Sequence, residues 1–299
     1  MSFRHPDVLV LGGGGVLGEA WMNAVLAGIE EASGFDAREC EGYVGTSAGS
    51  IVSAGLAGGM SPDARLGQLP EQPSAEDAAD AEAASGAGVA TRTLRAGVAT
   101  AAAPVAALAL PTMAPGGALV RRLALGRVPR GKRSLGGLGS RIDSLGARFD
   151  GRLALSAVEL ESGRRVMFGQ DGAPKASVGQ AVEASCAIPT YFRPIEIGGR
   201  SYVDGGAWSP TNMDTARVRR GTQVLCLNPT GSISAFGLAS RSIARVEALV
   251  LERRGARVQI VSPDEEAVAA IGPNLMDPRP RREVIAAGVA QGRRMANAV

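Results

Sequence analysis

Several residue types that define other classes of protein are scarce in this 299-residue chain. Its three cysteines, Cys40, Cys186 and Cys226, are few and far apart, which argues against a disulfide framework and a zinc site. Aromatic residues make up only 4% of the sequence, so we expect a core of closely packed small aliphatic side chains. The net charge of +3 is too small for the dense basic face of a nucleic-acid-binding domain, and no nucleic-acid partner is expected.

The first ten residues also lack a long apolar run, so the sequence predicts no secretory signal and a cytoplasmic protein. The only histidine is His5. In α/β-hydrolases the histidine base follows the serine nucleophile in the chain, and here no histidine follows residue 5. Any serine nucleophile in this chain therefore needs another base, for which a carboxylate is the obvious candidate.

Short apolar runs alternate with helical patterns, which indicates an α/β fold with a mainly parallel sheet. The predicted strands are 7–11, 42–44, 152–160 with 165–169 as a hairpin, 192–197 with 201–203 as a second hairpin, 222–227 and 257–261. The predicted helices are 18–32, 48–56, 178–186, 242–254 and 282–297. We interpret residues 1–299 as one domain.

Residues 61–148 interrupt this alternation and are predicted to form an insertion or cap of uncertain structure. Residues 61–83 are acidic, residues 84–133 carry only basic charges, and 96–120 are uncharged, rich in alanine and interrupted by prolines. Prolines argue against a membrane-spanning helix and favour short helices. Two interpretations stay open: peripheral membrane contact through 84–133, with arginines on anionic headgroups, or an alanine-rich helical cap with solvated basic ends.

The most informative motif is Gly45-Thr46-Ser47-Ala48-Gly49, which has the pattern G-x-S-x-G. This pattern places a serine on a tight turn between a strand and a helix, where flanking glycines let the backbone bend and the hydroxyl protrude. Ser47 is the candidate nucleophile. The alternative interpretation is a turn of small residues with an idle hydroxyl.

A glycine run, Gly12-Gly13-Gly14-Gly15-Val16-Leu17-Gly18, joins the first predicted strand to the first helix. Free N–H groups at a helix start bind anions, either a nucleotide phosphate or the oxyanion of an acyl-transfer intermediate. The run also fits the dinucleotide fingerprint, with Asp36 as its acidic residue. The second turn at residues 45–49 favours acyl transfer, because cofactor binding has no use for it.

Asp204 is the candidate base. It follows the strand-like residues 201–203 and precedes Gly205 and Gly206, so its carboxylate is expected at a strand end without bulky neighbours. The alternative is an ordinary Asp-Gly turn.

Taken together, the order and content of these motifs resemble the patatin-like phospholipase family. That family has a G-G-G-x-x-G oxyanion loop, a G-x-S-x-G nucleophile motif and a D-G-[AG] aspartate motif. Here these match residues 13–18, 45–49 and 204–206, and Ala184-Ser185-Cys186-Ala187-Ile188-Pro189 resembles the family's A-S-x-A-x-P stretch.

The resemblance implies a three-layer α/β/α sandwich and a Ser47–Asp204 dyad that needs no metal or cofactor. Its implied oxyanion hole is Gly13, Gly14, Gly15 and Ala48, and its other motif glycines are Gly18, Gly45, Gly49, Gly205 and Gly206. Two departures concern Leu17, where the family usually has a basic residue, and Ser209-Pro210-Thr211-Asn212, which replaces the family's N-x-P.

The leading functional prediction is a serine acylhydrolase for lipid esters, similar to a phospholipase A or a lysophospholipase, with a lipid ester as its partner. One alternative is an esterase or acyltransferase for small or thioester acyl donors. A nucleotide-binding module that uses the glycine run, and an inert scaffold of the same fold, are the others.

Overall fold

The computed structural model of this chain describes residues 4–68, 117–135, 137–232 and 234–298. One sheet contains the strands β1 (Val8–Leu11), β2 (Gly42–Gly45), β3 (Leu153–Glu159), β4 (Arg165–Phe168), β5 (Ile195–Ile197), β6 (Arg200–Asp204), β7 (Gln223–Leu227) and β8 (Arg257–Val261). The described helices are α1 (Gly15–Ser33), α2 (Ala48–Ala57), α3 (Pro62–Gln68), α4 (Gly117–Arg127), α5 (Leu138–Asp143), α6 (Val178–Cys186), α7 (Ser234–Arg253), α8 (Glu265–Ile271) and α9 (Arg281–Asn297).

The centre of the sheet is parallel. Strands β3, β2, β1, β7 and β8 are neighbours in that order and run in the same direction. Strands β4 and β6 pair with β3 in the antiparallel sense, and β5 extends β6 as a hairpin. A mainly parallel sheet places the carboxyl ends of β1 and β2, and so both glycine-rich turns, at the same edge.

Helices cover both faces of the sheet, which gives the three layers that were predicted. Alternate residues of β1 divide between the faces: Leu9 and Leu11 join a core with α1, α2, α6 and α9, and Val8 and Val10 join a core with α7. A smaller apolar cluster lies between α4 and β3. The mixed α/β class predicted from the sequence is confirmed.

Most predicted elements lie close to their expected positions, including both hairpins and helix α6. Helix α1 begins at Gly15 rather than at residue 18, because the glycine run itself provides the first helical turn. Helix α7 begins at Ser234, well before residue 242. Of the predicted insertion 61–148, the structure describes α3, α4 and α5; residues 69–116, with most of the alanine-rich stretch, lie outside the described residues.

Candidate active site

Ser47 occupies a strained turn between β2 and α2. Its backbone has φ 51° and ψ −121°, a left-handed conformation that costs a non-glycine residue about 1–3 kcal/mol. Hydrogen bonds hold it in place: the Ser47 N–H donates to Ser185 Oγ at 2.9 Å, and the Ser47 carbonyl accepts from the Ser50 N–H at 2.7 Å. This is the sharp turn that the G-x-S-x-G pattern predicts.

Close approach of the backbone explains the motif glycines around Ser47. A Cβ at Gly49 would lie 1.8 Å from the carbonyl oxygen of Leu11, and a Cβ at Gly45 would lie 2.7 Å from the Cα of Ser50. Any side chain at Gly49 would therefore push the start of α2 away from β1.

The register of β3 brings the ends of β2 and β6 together. Gly45, the last residue of β2, is opposite Leu155, and Asp204, the last residue of β6, is opposite Ala157. Two residues along a strand span about 7 Å, so the turn that carries Ser47 lies beside Asp204. The Ser47 side chain lies close enough to the Asp204 carboxylate to lower the pKa of that group.

Asp204 is buried, with only 4% of its surface exposed, and Ser47 is 8% exposed. Burial raises the pKa of Asp204 from 3.8 to about 6, although the nearby Ser47 side chain and the hydrogen bond from the Gly206 N–H partly oppose this rise. The Gly206 N–H donates to Asp204 Oδ1 at 2.7 Å and so fixes one carboxylate oxygen. The site thus contains a hydroxyl beside a desolvated carboxylate.

The glycine loop approaches Ser47 at Gly13. Gly13 is adjacent to the serine, since a Cβ on Gly13 would lie 3.6 Å from Ser47 Cβ. Its N–H, however, donates to Pro210 O at 2.9 Å. The Gly13 N–H is thus engaged by Pro210, and the role of Gly13 as an oxyanion donor stays a prediction. Among the described residues, no acceptor takes the N–H groups of Gly14, Gly15 or Ala48, the other predicted donors.

The conformation of the loop depends on its neighbours. Gly15 has φ +57°, and a Cβ there would lie 2.7 Å from Met276 Sδ. Gly18 donates its N–H to Gly14 O at 2.8 Å and packs closely on Pro229. These contacts fix the first turn of α1, whose dipole adds positive potential at the open N–H groups.

Two residues that help to form the site were given no role by sequence reasoning. Ser185 accepts the Ser47 N–H, and the only signal for it was its place in the A-S-x-A-x-P stretch. Ser156 lies on β3 between the two strand ends, and its hydroxyl donates to Thr46 Oγ1 at 3.0 Å. No sequence pattern pointed to Ser156, because its importance comes only from strand pairing.

Two other polar residues lie away from the site. His5 is exposed and packs against Phe35, with 5.4 Å between ring centroids, before the start of β1 and so at the opposite edge of the sheet. Asp36 accepts the N–H of Arg38 at 2.9 Å and precedes β2, also at that far edge. Asp36 is therefore not placed to act with the glycine loop, as the dinucleotide fingerprint would require.

Leu17, at the family's basic position, is fully buried and belongs to the apolar core under the loop. Its N–H donates to Leu275 O at 3.0 Å. The three cysteines are buried free thiols. None of the described helices is both long enough and apolar enough to span a bilayer.

Comparison with known proteins gives a family for this geometry. Residues 9–217 match the family model described as patatin-like phospholipase. No protein of curated function matches the sequence.

Solved structures that this chain resembles include VipD from Legionella pneumophila, at a TM-score of 0.48 and 16% identity, covering 99% of this chain and 68% of that one. The type III effector protein ExoU gives a TM-score of 0.39 at 15% identity, and the match covers 99% of this chain and 54% of the ExoU chain. ExoU in complex with SpcU, from Pseudomonas aeruginosa, gives 0.33 at 20% identity, covering 95% of this chain and 52% of that one. The chain thus spans about half the length of the ExoU chains it matches.

The family match extends over most of the chain and includes the glycine loop, the serine turn and the aspartate turn. The resemblance inferred from the sequence motifs is therefore confirmed, and this chain belongs to the patatin-like phospholipase family.

Proposed function

We propose that this protein is a serine acylhydrolase that cleaves carboxylic esters of lipids with a Ser47–Asp204 dyad. The observation that carries the proposal is the proximity of Ser47 to a buried carboxylate, together with N–H groups at the starts of α1 and α2 that have no acceptor among the described residues. Membership of a phospholipase family supports the lipid-hydrolase class. The dyad itself rests on the geometry of the site.

In the first half of the reaction, Ser47 Oγ attacks the carbonyl carbon of the ester and its proton passes to the Asp204 carboxylate. Negative charge develops on the carbonyl oxygen, where the N–H groups of Gly14, Gly15 and Ala48 would donate hydrogen bonds. One such donor is typically worth about 3–4 kcal/mol of transition-state stabilisation. The intermediate then collapses, the ester C–O bond breaks, and the leaving alkoxide takes the proton from Asp204.

In the second half, water attacks the acyl group on Ser47 and gives its proton to Asp204. The same N–H groups would hold the second oxyanion. Collapse releases the carboxylic acid and returns the proton to Ser47 Oγ. Every proton transfer uses the one carboxylate, so the mechanism uses no histidine, metal or cofactor.

A fluorophosphonate probe tests the nucleophile. We expect covalent labelling at Ser47 that is lost in Ser47→Ala. Ser53→Ala is the matched control, because Ser53 is a buried serine on the helix that follows the nucleophile. If Ser47→Ala is labelled as fast as the wild type, Ser47 is not the nucleophile.

Substrate class is tested with p-nitrophenyl esters of increasing acyl length beside a phospholipid, with Ser47→Ala as the blank. The proposal predicts rates that rise with chain length, and phospholipid cleavage that survives treatment with a metal chelator. A preference for short chains would instead support the alternative of a general esterase or acyltransferase.

Contact with a lipid surface is part of this proposal, and it is assigned to residues 84–133. In the described portion, 117–133, Leu123 is 49% exposed, and the neighbouring Arg122, Arg127 and Arg130 are also exposed. An apolar side chain among arginines suits an anionic bilayer. Deletion of 84–133 should reduce co-sedimentation with anionic vesicles, and unchanged co-sedimentation would remove this surface from the proposal.

A further inference from the structure

One short segment, residues 209–213, touches the glycine loop and the serine turn. The carbonyl oxygen of Pro210 accepts the Gly13 N–H at 2.9 Å. The carbonyl oxygen of Thr211 accepts from Thr46 Oγ1 at 3.4 Å. The 209–213 segment therefore forms hydrogen bonds to the residues on both sides of the space in which the substrate carbonyl would lie.

Asn212 extends these contacts to the aspartate turn. Its amide nitrogen lies 3.0 Å from Thr46 Oγ1 and 3.3 Å from the Gly205 carbonyl oxygen. Asn212 is fully buried, and its backbone is left-handed, with φ 50°. A single side chain thus joins the residue before Ser47 to the residue after Asp204.

The 209–213 segment is fixed from its other side by Glu247 on α7. This side chain is 0% exposed and lies on the buried stripe of the helix with Ala244, Ala248 and Leu251. Glu247 Oε2 accepts the Met213 N–H at 2.9 Å and a hydrogen bond from Thr211 Oγ1. Its other oxygen, Oε1, has no hydrogen-bond partner among the described residues.

The charged and titratable groups that act on Glu247 come from two elements. Asp214 follows Met213 in the short turn 213–215 and forms an ion pair with Arg165 at 2.7 Å. Cys226 on β7 is the other titratable group that acts on Glu247. Burial, with a smaller contribution from Asp214, raises the pKa of Glu247 from 4.5 to about 7. A buried, incompletely paired carboxyl group is costly, which suggests a role beyond packing.

We propose that Glu247 is a positioning residue: it anchors the 209–213 segment and through it holds the glycine loop, the Ser47 turn and the Asp204 turn in register. Glu247 touches neither the dyad nor the space in which the substrate carbonyl would lie, and its effect passes through Thr211 and Met213. This inference rests on the proposed function, since it assigns Glu247 a part in presenting Ser47.

The experiment compares Glu247→Ala with Glu247→Gln by hydrogen exchange and by fluorophosphonate labelling. The glutamine keeps a carbonyl oxygen that can accept from Thr211 and Met213, so exchange at Gly13 and the rate of Ser47 labelling should stay near wild type. The alanine variant should exchange faster at Gly13 and Met213 and label about 10- to 100-fold more slowly per folded molecule, as expected for misplaced reacting groups.

Arg245→Ala is the control on the same helix, because the Arg245 side chain pairs with Glu252 rather than with the 209–213 segment or with the residues around Pro229. It should leave exchange at Gly13 and the rate of Ser47 labelling unchanged. If Glu247→Ala does not fold, Thr211→Val decides the matter, since it removes only the hydroxyl that donates to Glu247.

Wild-type exchange and labelling in a folded Glu247→Ala variant, or in Thr211→Val, would overturn the inference. If the probe does not label the wild-type protein, the proposed function is refuted rather than the role of Glu247. The hydrogen-exchange data alone then test whether Glu247 anchors the 209–213 segment.

Discussion

The substitution Asp204→Asn separates two effects of the carboxylate at this position: it accepts a proton in the proposed reaction, and its buried charge affects the stability of the fold. Asparagine keeps the shape of the side chain and an oxygen that can accept the Gly206 N–H, which lies 2.7 Å from Asp204 Oδ1. It cannot accept the proton of Ser47. We therefore expect a folded protein whose ester hydrolysis falls by about 10²- to 10⁴-fold, the usual contribution of a general base.

The same substitution should make the protein more stable at high pH. The rise in the pKa of Asp204 from 3.8 to about 6 corresponds to about 3 kcal/mol, at about 1.36 kcal/mol per pKa unit. The pKa of Asp204 is higher in the folded protein than in the unfolded chain. The folded state is therefore stabilised by a protonated Asp204 below about pH 4, and it loses this contribution of about 3 kcal/mol as the pH rises through about 6. The asparagine side chain does not ionise, so the Asp204→Asn variant should melt up to about 6 °C higher than wild type at pH 8 and no higher at pH 4.

The assay is a pair of melting curves at pH 4 and pH 8, together with initial rates on a p-nitrophenyl ester. Asp264→Asn is the control: Asp264 also accepts a backbone N–H at a helix start, but it lies at the surface, away from Ser47. It should leave hydrolysis unchanged. Near-normal hydrolysis by Asp204→Asn would remove Asp204 from the mechanism, and an equal melting difference at both pH values would refute the argument from charge burial.

Three further predictions concern the same site. The value of kcat/KM should rise about tenfold per pH unit below about pH 6 and level off above it, because Asp204 must be ionised to accept a proton; a flat profile from pH 4 to 8 would contradict this. Gly49→Ala should give no soluble protein that the probe can label, since the new Cβ would lie 1.8 Å from the carbonyl oxygen of Leu11. Gly55→Ala on the same helix has open space and should be tolerated or slightly stabilising. Equal melting temperatures for the two variants would refute the packing argument. Ser185→Ala should lower the free energy of unfolding by about 1–3 kcal/mol, measured with a denaturant, and should slow the labelling of Ser47, because the N–H of Ser47 loses its acceptor. Unchanged stability and labelling rate would show that Ser185 does not support the turn.

Much of the fold could be predicted because its signals are local. Strands of the parallel centre are short apolar runs, of which β1 and β2 end at glycines, and the two hairpins have Ser-Gly and Gly-Gly turns between their strands. Helix α1 was placed too late because glycine is a poor helix former, yet here Gly15 is the first helical residue. Tertiary contacts with Pro229 and Met276 override that local preference.

The site was only partly predictable, because motifs give residue types but not pairing partners. Ser47 and Asp204 could be singled out from their glycine neighbours, but only the register of β3 shows that the strand ends before them lie side by side. The hydrogen bond from the Gly13 N–H to the Pro210 carbonyl oxygen joins segments far apart in the chain, so no local motif predicts it. Glu247 left a weak signal: it is an acidic residue in phase with the apolar stripe of α7.

The proposed dyad places two opposing electrostatic requirements on one carboxylate. A base must be ionised at the working pH, but it must also hold a proton more tightly than a free aspartate does. Burial of Asp204 supplies the second property, and the Ser47 side chain and the Gly206 N–H limit the effect so that the pKa reaches only about 6. At pH 7 such a group is still about 90% ionised. Leu17 does not disturb this balance, since its side chain is buried in the core and the proposed oxyanion donors are backbone N–H groups, which a change of side chain at position 17 does not remove.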